Sequence, residues 1–413
     1  MAQTNALSLP EAKRVALERN WDLLAAQANL DGASAQLLMA REFPNPTASL
    51  STAKIGSREA STAGGNGVWD RSYDSILAVN QLFEIAGKRR NRQSAARWGV
   101  QGAKARFLEA RRILDQGVTK AYLAAVLARE NARIYHETAG YLERQAGIAA
   151  ERFKLGDLSA SDKKQIEISA GQYVLQAQAA EASALQARVA VEVLLGTREP
   201  KGDWAPVERI EALVTTNEPA ALASPTGENA ARSDVLAGRA DLQAAQANLA
   251  LQKALRVPDP TVMIQAEHNP PGGGPPADTI GIGVSFPLPV WNRNRGAIKA
   301  AQAAVEQSRF ALGRLQSQAA ADLADARSEY REARSRWERY RDDLAPKSSQ
   351  VRESMTFAYQ KGGASLLSLL DAERTDNDIR LALAQAVADT ASATADLQAA
   401  LSLTRAADLE GSK

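Results

Sequence analysis

The chain has 413 residues, with 50 Lys plus Arg against 48 Asp plus Glu. That near balance gives no global field for gathering nucleic acid or another polyanion. Without cysteine in this sequence, neither a disulfide framework nor a thiolate metal site is expected.

Aromatic residues make up only 5% of the chain, while alanine is abundant and interleaved with Gln, Glu, Arg and Leu. Such a composition suits long helices packed closely through small side chains. No run of about 18 apolar residues occurs, so no transmembrane helix is expected. Met1 to Pro10 lacks the charged, apolar and small-residue succession of a signal peptide, so an exported form is expected to be a mature chain without its leader.

From Leu9 to about Arg41 the apolar positions recur at helical spacing, with Ser8 as N-cap and Pro10 in the first turn. Phe43-Pro44-Asn45-Pro46 stops that helix. Thr47 to Ile55 and Tyr73 to Phe83 alternate polar with apolar residues and predict two strands around the loop Gly56 to Asp70. Lys88 to Lys154 is nearly free of helix breakers and predicts about 65 residues of helix, roughly 100 Å at 1.5 Å per residue. A tight turn at Gly156 leads into a return helix from about Ser159 to Leu195.

Gly196 to Asn229 loses periodicity, gains four prolines and reads as a linker with short elements packed around the helices. The first plan then repeats. A helix from about Ala231 to Arg256 stops at Pro258-Asp259-Pro260, and Thr261 to Glu267 and Thr279 to Phe286 form a second strand pair around the loop Asn269 to Asp278. Arg295 to Lys361 gives a second long helix, Gly362-Gly363 a second turn, and Ser365 to Leu403 a second return helix. Pro346 interrupts the second long helix and Gly140 stands at the corresponding place in the first, which predicts a bend shared by both.

The duplication is written in the residues. Phe83 and Arg90-Asn91-Arg92 return 203 positions later as Phe286 and Arg293-Asn294-Arg295, and Phe153-Lys154-Leu155-Gly156 with Ser159 returns 206 positions later as Tyr359-Gln360-Lys361-Gly362 with Ser365. The expected layout is a first repeat over 1–198 with its hairpin at about 46–84 and its tip at 155–159. A linker follows over 199–230, then a second repeat over 231–405 with hairpin 260–287 and tip 361–365, and a flexible tail over 406–413. A lone hairpin is marginal in water. The two hairpins must therefore meet each other or other copies.

Helix, hairpin, long helix, tip and return helix performed twice resembles the TolC-type outer-membrane efflux duct family over nearly the whole chain. Phe286-Pro287-Leu288-Pro289-Val290-Trp291-Asn292-Arg293-Asn294-Arg295-Gly296 resembles the strand-to-helix crossing of its heavy-metal (cobalt-zinc-cadmium) branch. The resemblance implies a mainly α protein with a transmembrane β part. Each of three identical chains would contribute four strands to a 12-stranded outer-membrane β-barrel, continued by a long periplasmic α-helical barrel. It implies a passive exit duct of a tripartite system, with a periplasmic adaptor and an inner-membrane RND-type pump as partners, heavy-metal cations as cargo, and no cofactor and no enzyme activity. The same duct exporting organic toxicants or antibiotics, and a soluble periplasmic coiled-coil scaffold, stand as the alternatives. The scaffold would lack a lipid-facing apolar stripe on its hairpins.

Carried onto this sequence, the resemblance makes Leu155, Gly156, Ser159, Gly362 and Ser365 adaptor-docking tips, and Asp371, Asp162 and Tyr359 gate or pore residues. Three copies of Asp371 around a pore would favour cations, and Asp162 and Tyr359 would hold the closed gate by hydrogen bonding between neighbouring helices. Ala364 and Ser368 depart from the family pattern, which places an arginine and a second acid there; Glu373 is the candidate replacement acid. Arg90, Arg92, Arg293 and Arg295, with Trp291, are expected at the inner lipid face, against phosphate headgroups. His136 and His268 have no second ligand at metal spacing, so no metal site is expected.

Overall fold

The computed structural model describes residues 5–53, 74–214, 230–269, 277–401 and 404–405. The expected loop 56–70, most of the second hairpin loop, the linker from 215 to 229 and the tail from 406 lie outside the described residues. In chain order the elements are β1 (Asn5–Leu7), α1 (Leu9–Arg19), α2 (Trp21–Arg41), β2 (Thr47–Ala53), β3 (Asp74–Leu82), α3 (Lys88–Lys154), α4 (Ala160–Leu194) and β4 (Trp204–Pro206). There follow β5 (Ala230–Ala231), α5 (Ser233–Ala254), β6 (Thr261–Asn269), β7 (Ala277–Ser285), α6 (Arg295–Arg339), α7 (Ala345–Gln360), α8 (Leu366–Leu401) and β8 (Thr404–Arg405). Among the described residues no helix is long and apolar enough to cross a membrane.

The chain forms two compact units, and both repeats contribute to each. One comprises Met1–Ala28, Ala105–Leu236 and Leu315–Lys413; the other comprises Asn29–Lys104 and Ala237–Arg314.

In the first unit the core is built where small and large side chains interleave. Ala12, Ala16, Val118, Tyr122, Val126, Val191 and Trp204 are buried together, and the Tyr122 and Trp204 rings stack at 5.9 Å. The Tyr122 hydroxyl donates to the Leu7 carbonyl (2.8 Å) and contacts the Glu208 carboxylate, so the linker is tied to the start of the chain. β1 and β4 pair in parallel at the same place, Ala6 opposite Ala205. The expected packing of the linker against the helices is found over this described part.

The single helix expected from Leu9 to Arg41 is two. Asn20, only 5% exposed, divides it because its side chain competes with the backbone ladder. Its Oδ1 accepts from the Asp22 and Leu23 N–H groups at 3.0 Å each, capping α2, while its Nδ2 donates to the Leu194 carbonyl at the end of α4. Ser8 caps α1 as expected, accepting from Glu11 N–H.

The interruption of the long helices is likewise not shared. Pro346 has no N–H and its ring crowds the carbonyl four residues earlier, and the chain answers with a π-helical turn over Tyr340–Leu344, closed by Ala345 N–H to the Tyr340 carbonyl. α3 runs across Gly140 without a break, since glycine weakens a helix yet keeps its donor.

The second unit carries one antiparallel sheet in the order β2-β3-β6-β7, so the two hairpins, far apart in sequence, are joined by β3 and β6. Register places Leu50, Leu77, Ala266 and Ile280 in one row and Ala48, Val79, Ile264 and Ile282 in the next, all on one face. The opposite face carries Ser49, Ala78, Gln265 and Gly281, then Thr47, Asn80, Met263 and Gly283. The apolar face is uncovered among the described residues: Ile280 is 82% and Ile282 78% exposed. A polar row of Thr52, Ser75, His268 and Asp278 bounds the apolar rows at the end near the hairpin loops.

Candidate gate, docking tips and membrane-interface residues

The two helical tips are built alike. After α3, the Gly156 N–H reaches the Phe153 carbonyl (3.1 Å) and the Asp157 N–H the Arg152 carbonyl (2.9 Å); after α7, the Gly362 N–H reaches the Tyr359 carbonyl (3.1 Å) and the Gly363 N–H the Ala358 carbonyl (2.8 Å). This paired closure needs a left-handed residue at the turn, and Gly156 (φ 80°) and Gly362 (φ 76°) supply it. Ser159 then caps α4 by accepting from Asp162 N–H (3.0 Å), and Ser365 sits before α8, accepting from Ser368 N–H (3.1 Å). The recurrent Gly-x-x-Ser spacing is thus a C-cap followed by an N-cap. Leu155 projects from the first tip, 77% exposed.

Between the tips, Ala149, Ile166 and Leu366 form a small buried cluster, with Leu158, Tyr359 and Leu370 packed around it. Tyr359 is half-buried there, and the Arg152 guanidinium lies 5.7 Å from its ring centroid. Asp162 is half-buried at the first turn of α4. Among the described residues no hydrogen bond joins Asp162 to Tyr359 within one chain. Asp371 is exposed and lines a groove of about 680 Å³ with Gln165, Gln172, Leu370 and Arg374. Gln165, the repeat-related counterpart of Asp371, shares its groove.

Glu373 does not replace the missing exposed acid. It is 5% exposed and belongs to a polar knot between α3, α7 and α8. Arg352 lies 3.0 Å from Asp376 and 3.9 Å from Glu373, the Ser348 hydroxyl donates to Asp376 (2.9 Å), and the Thr138 hydroxyl donates to Asn377 (2.9 Å). Burial pushes the Glu373 carboxyl above its ordinary range despite Arg352, with the Asp376 charge adding to the rise. This knot was not singled out from sequence. Its signal is the Glu-x-x-Asp-Asn run on the return helix, where spacings of three and four residues put all three side chains on one helix face, the buried one.

The basic clusters have separate fates. In the first, Lys88 is buried against Asp259 (2.7 Å), Arg89 donates to the Arg41 carbonyl and covers the Phe43 ring at 3.7 Å, and Arg92 pairs with Glu84 while donating to the Ala40 and Glu42 carbonyls. Arg92 is therefore an internal clasp, with a carboxylate partner supplied by the chain itself. Arg90 is exposed. In the second cluster Arg293 and Arg295 are exposed and Trp291 is 95% exposed.

The histidines pair with carboxylates, His136 with Glu181 (2.6 Å) and His268 with Asp278 (2.7 Å). Among the described residues no group of three His, Asp or Glu side chains converges as a metal site.

A family model described as outer membrane efflux protein matches residues 14–197 and 228–403, both repeats in turn. The chain belongs to the outer membrane efflux protein family. It is an outer-membrane efflux channel rather than an enzyme, and the soluble-scaffold alternative falls, in keeping with the uncovered apolar face of its sheet. This efflux protein is 26% identical over 372 residues to the cobalt-zinc-cadmium resistance protein CzcC of Cupriavidus metallidurans, covering 89% of this chain and 84% of that one. The fold matches that of the outer membrane protein VceC of Vibrio cholerae, with TM-score 0.75, 21% identity and 95% of each chain covered. It also matches the open state of the MtrE outer membrane channel of Neisseria gonorrhoeae, with TM-score 0.76, 21% identity and 95% and 88% covered. CusC, a protein that forms a transmembrane channel, gives TM-score 0.75 at 18% identity, with 95% and 91% covered.

Proposed function

We propose that three copies of this chain form one duct that conducts metal cations from the periplasm to the outside. The observation that carries this reading is the four-stranded sheet with one uncovered apolar face, one largely polar face, and free edges at β2 and β7. Backbone groups at a sheet edge cannot be left unpaired in lipid, and four strands cannot close on themselves. Pairing β2 of one copy with β7 of the next closes a 12-stranded barrel whose apolar face meets lipid and whose polar face lines the pore. Strands of nine residues suit a tilted crossing of the bilayer.

The duplicated unit over 1–198 and 231–405 then supplies one hairpin and one helical hairpin per repeat, and the helices of three copies enclose the periplasmic passage. The tips at Leu155, Gly156, Ser159, Gly362 and Ser365 dock the periplasmic adaptor of an RND-type pump, which supplies the energy. Asp371 forms the acidic ring at the gate, with Asp162 and Tyr359 bridging neighbouring helices. Metal as cargo is supported by the likeness to the cobalt-zinc-cadmium resistance protein. A passage whose cargo must leave is expected to bind it weakly.

The absence of native cysteine gives a clean test. A double variant with Ser49→Cys in β2 and one cysteine scanned along β7 from Thr279 to Ser285 is oxidised in outer membranes. The duct reading predicts cross-linked trimers at one register; cross-linking at none of the seven positions contradicts barrel closure through these edges.

A further inference from the structure

The second basic cluster stands on a hollow of about 430 Å³ lined by Lys253, Arg256, Val257, Pro289 and Arg293. Two segments bring three cations there: the end of α5 carries Lys253, with Arg256 just beyond it, and the segment between β7 and α6 carries Arg293. Among the described residues none of the three pairs with a carboxylate. Like charges converging without a counter-ion repel one another, so the arrangement must be held by something else.

Asn294 holds it. Its backbone is left-handed (φ 55°), its N–H donates to the Asn292 side chain (3.0 Å), and its Nδ2 donates to the Gln252 carbonyl (2.8 Å) and the Gln252 side-chain oxygen (3.2 Å). The crossing is thereby clamped to the last turn of α5, with Arg293 fixed beside Lys253 and Arg256. In the first repeat Arg92, related to Arg295, pairs with Glu84, and its neighbour Arg89 meets the Arg41 carbonyl and the Phe43 ring, while Arg90, the counterpart of Arg293, is exposed. The first copy of the motif is partly drawn into a clasp, and the second sets its arginine beside two further cations.

We propose that Lys253, Arg256 and Arg293 bind the phosphate of an anionic lipid headgroup at the periplasmic leaflet. The proposal rests on the outer-membrane reading of the sheet and assigns a ligand to the foot of β6 and β7. The lipid source is favoured because the two segments that carry the cations also carry exposed apolar side chains: Leu255 next to Arg256, and Phe286, Leu288, Val290 and Trp291 in the stretch leading to Arg293. A phosphate held by the cations would leave its acyl chains beside these residues, as at an interfacial belt. Free phosphate would have no use for them.

The test is native mass spectrometry of the delipidated protein in detergent, titrated with phosphatidylglycerol, phosphatidylcholine or inorganic phosphate. Wild type is expected to prefer phosphatidylglycerol over phosphatidylcholine at least tenfold. The triple variant Lys253→Gln, Arg256→Gln, Arg293→Gln should lose that preference, and the charge-conserving triple Lys253→Arg, Arg256→Lys, Arg293→Lys should keep most of it. Equal lipid retention by wild type and the glutamine variant overturns the site. Inorganic phosphate that binds as tightly as the lipid overturns the lipid assignment. Conductance of the same wild-type preparation in planar bilayers separates the readings: a conducting channel without lipid preference removes the site and leaves the duct intact.

Discussion

At the scale of single residues, charge placement decides between structure and transport. Arg352 serves two buried acids at once, so Arg352→Ala leaves Glu373 and Asp376 unpaired at the junction of α3, α7 and α8. The expected loss is about 2 kcal/mol, below the usual figure for a buried pair because Arg352 is itself partly exposed, and it is read from the urea midpoint in detergent. The Glu373 carboxyl, raised by burial, takes up a proton more readily folded than unfolded. Its contribution to stability is therefore fully present below about pH 4.5 and is lost as pH rises through the raised folded value. Glu373→Gln is expected to flatten the fall in melting temperature from pH 4.5 towards neutrality; an unchanged slope would contradict this. Asp371, exposed in its groove, carries no such structural duty. Asp371→Ala should leave the melting temperature unaltered and lower cation selectivity and block by multivalent cations, measured as reversal potential and conductance. The tip glycines were visible in the sequence by spacing and the acids were named through the family resemblance, whereas the knot was not: burial of Glu373 depends on which side of α8 meets α7, a tertiary fact. The pairing of Arg92 with Glu84 was hidden for the same reason, since Glu84 lies eight residues away across a turn.

At the scale of elements, alternation and breakers carry most of the fold. The hairpins, the tips and α3 follow from period-2 and period-3.6 patterns punctuated by Pro and Gly, and α3 begins and ends where the sequence predicts. Two breaks were illegible because they arise from opposite causes. Asn20 carries no strong helix-breaking tendency, yet its side chain satisfies three backbone groups and divides α1 from α2. Gly140 looks like a breaker, yet α3 absorbs it, because nothing removes a donor there. The pairing of β3 with β6 was also beyond local pattern, since it joins residues about 190 positions apart. The sheet makes a sharp prediction through its two faces. Ile264→Lys or Ile282→Lys on the apolar face should cost about 2–4 kcal/mol in bilayer-refolded protein, while Gln265→Lys on the other face should be nearly neutral in stability. Equal costs on both faces would contradict the assignment of the apolar face to lipid.

At the scale of the whole molecule, the duplication yields an incomplete object. One chain carries four strands with two free edges, an apolar face uncovered among its described residues, and two tips built on the same capping plan. The copies have diverged where function is proposed: Lys88 and Arg92 of the first basic cluster pair with carboxylates while Arg293 of the second joins Lys253 and Arg256, and Asp371 corresponds to Gln165. Each divergence is expected in the proposed assembly of three chains, in which one set of residues meets lipid and another forms the gate. The most direct measurement is the current through planar bilayers after addition of the detergent-purified protein. The account predicts discrete cation-selective openings from a trimeric species, with selectivity reduced by Asp371→Ala. A detergent-free monomer that produces no conductance would contradict it.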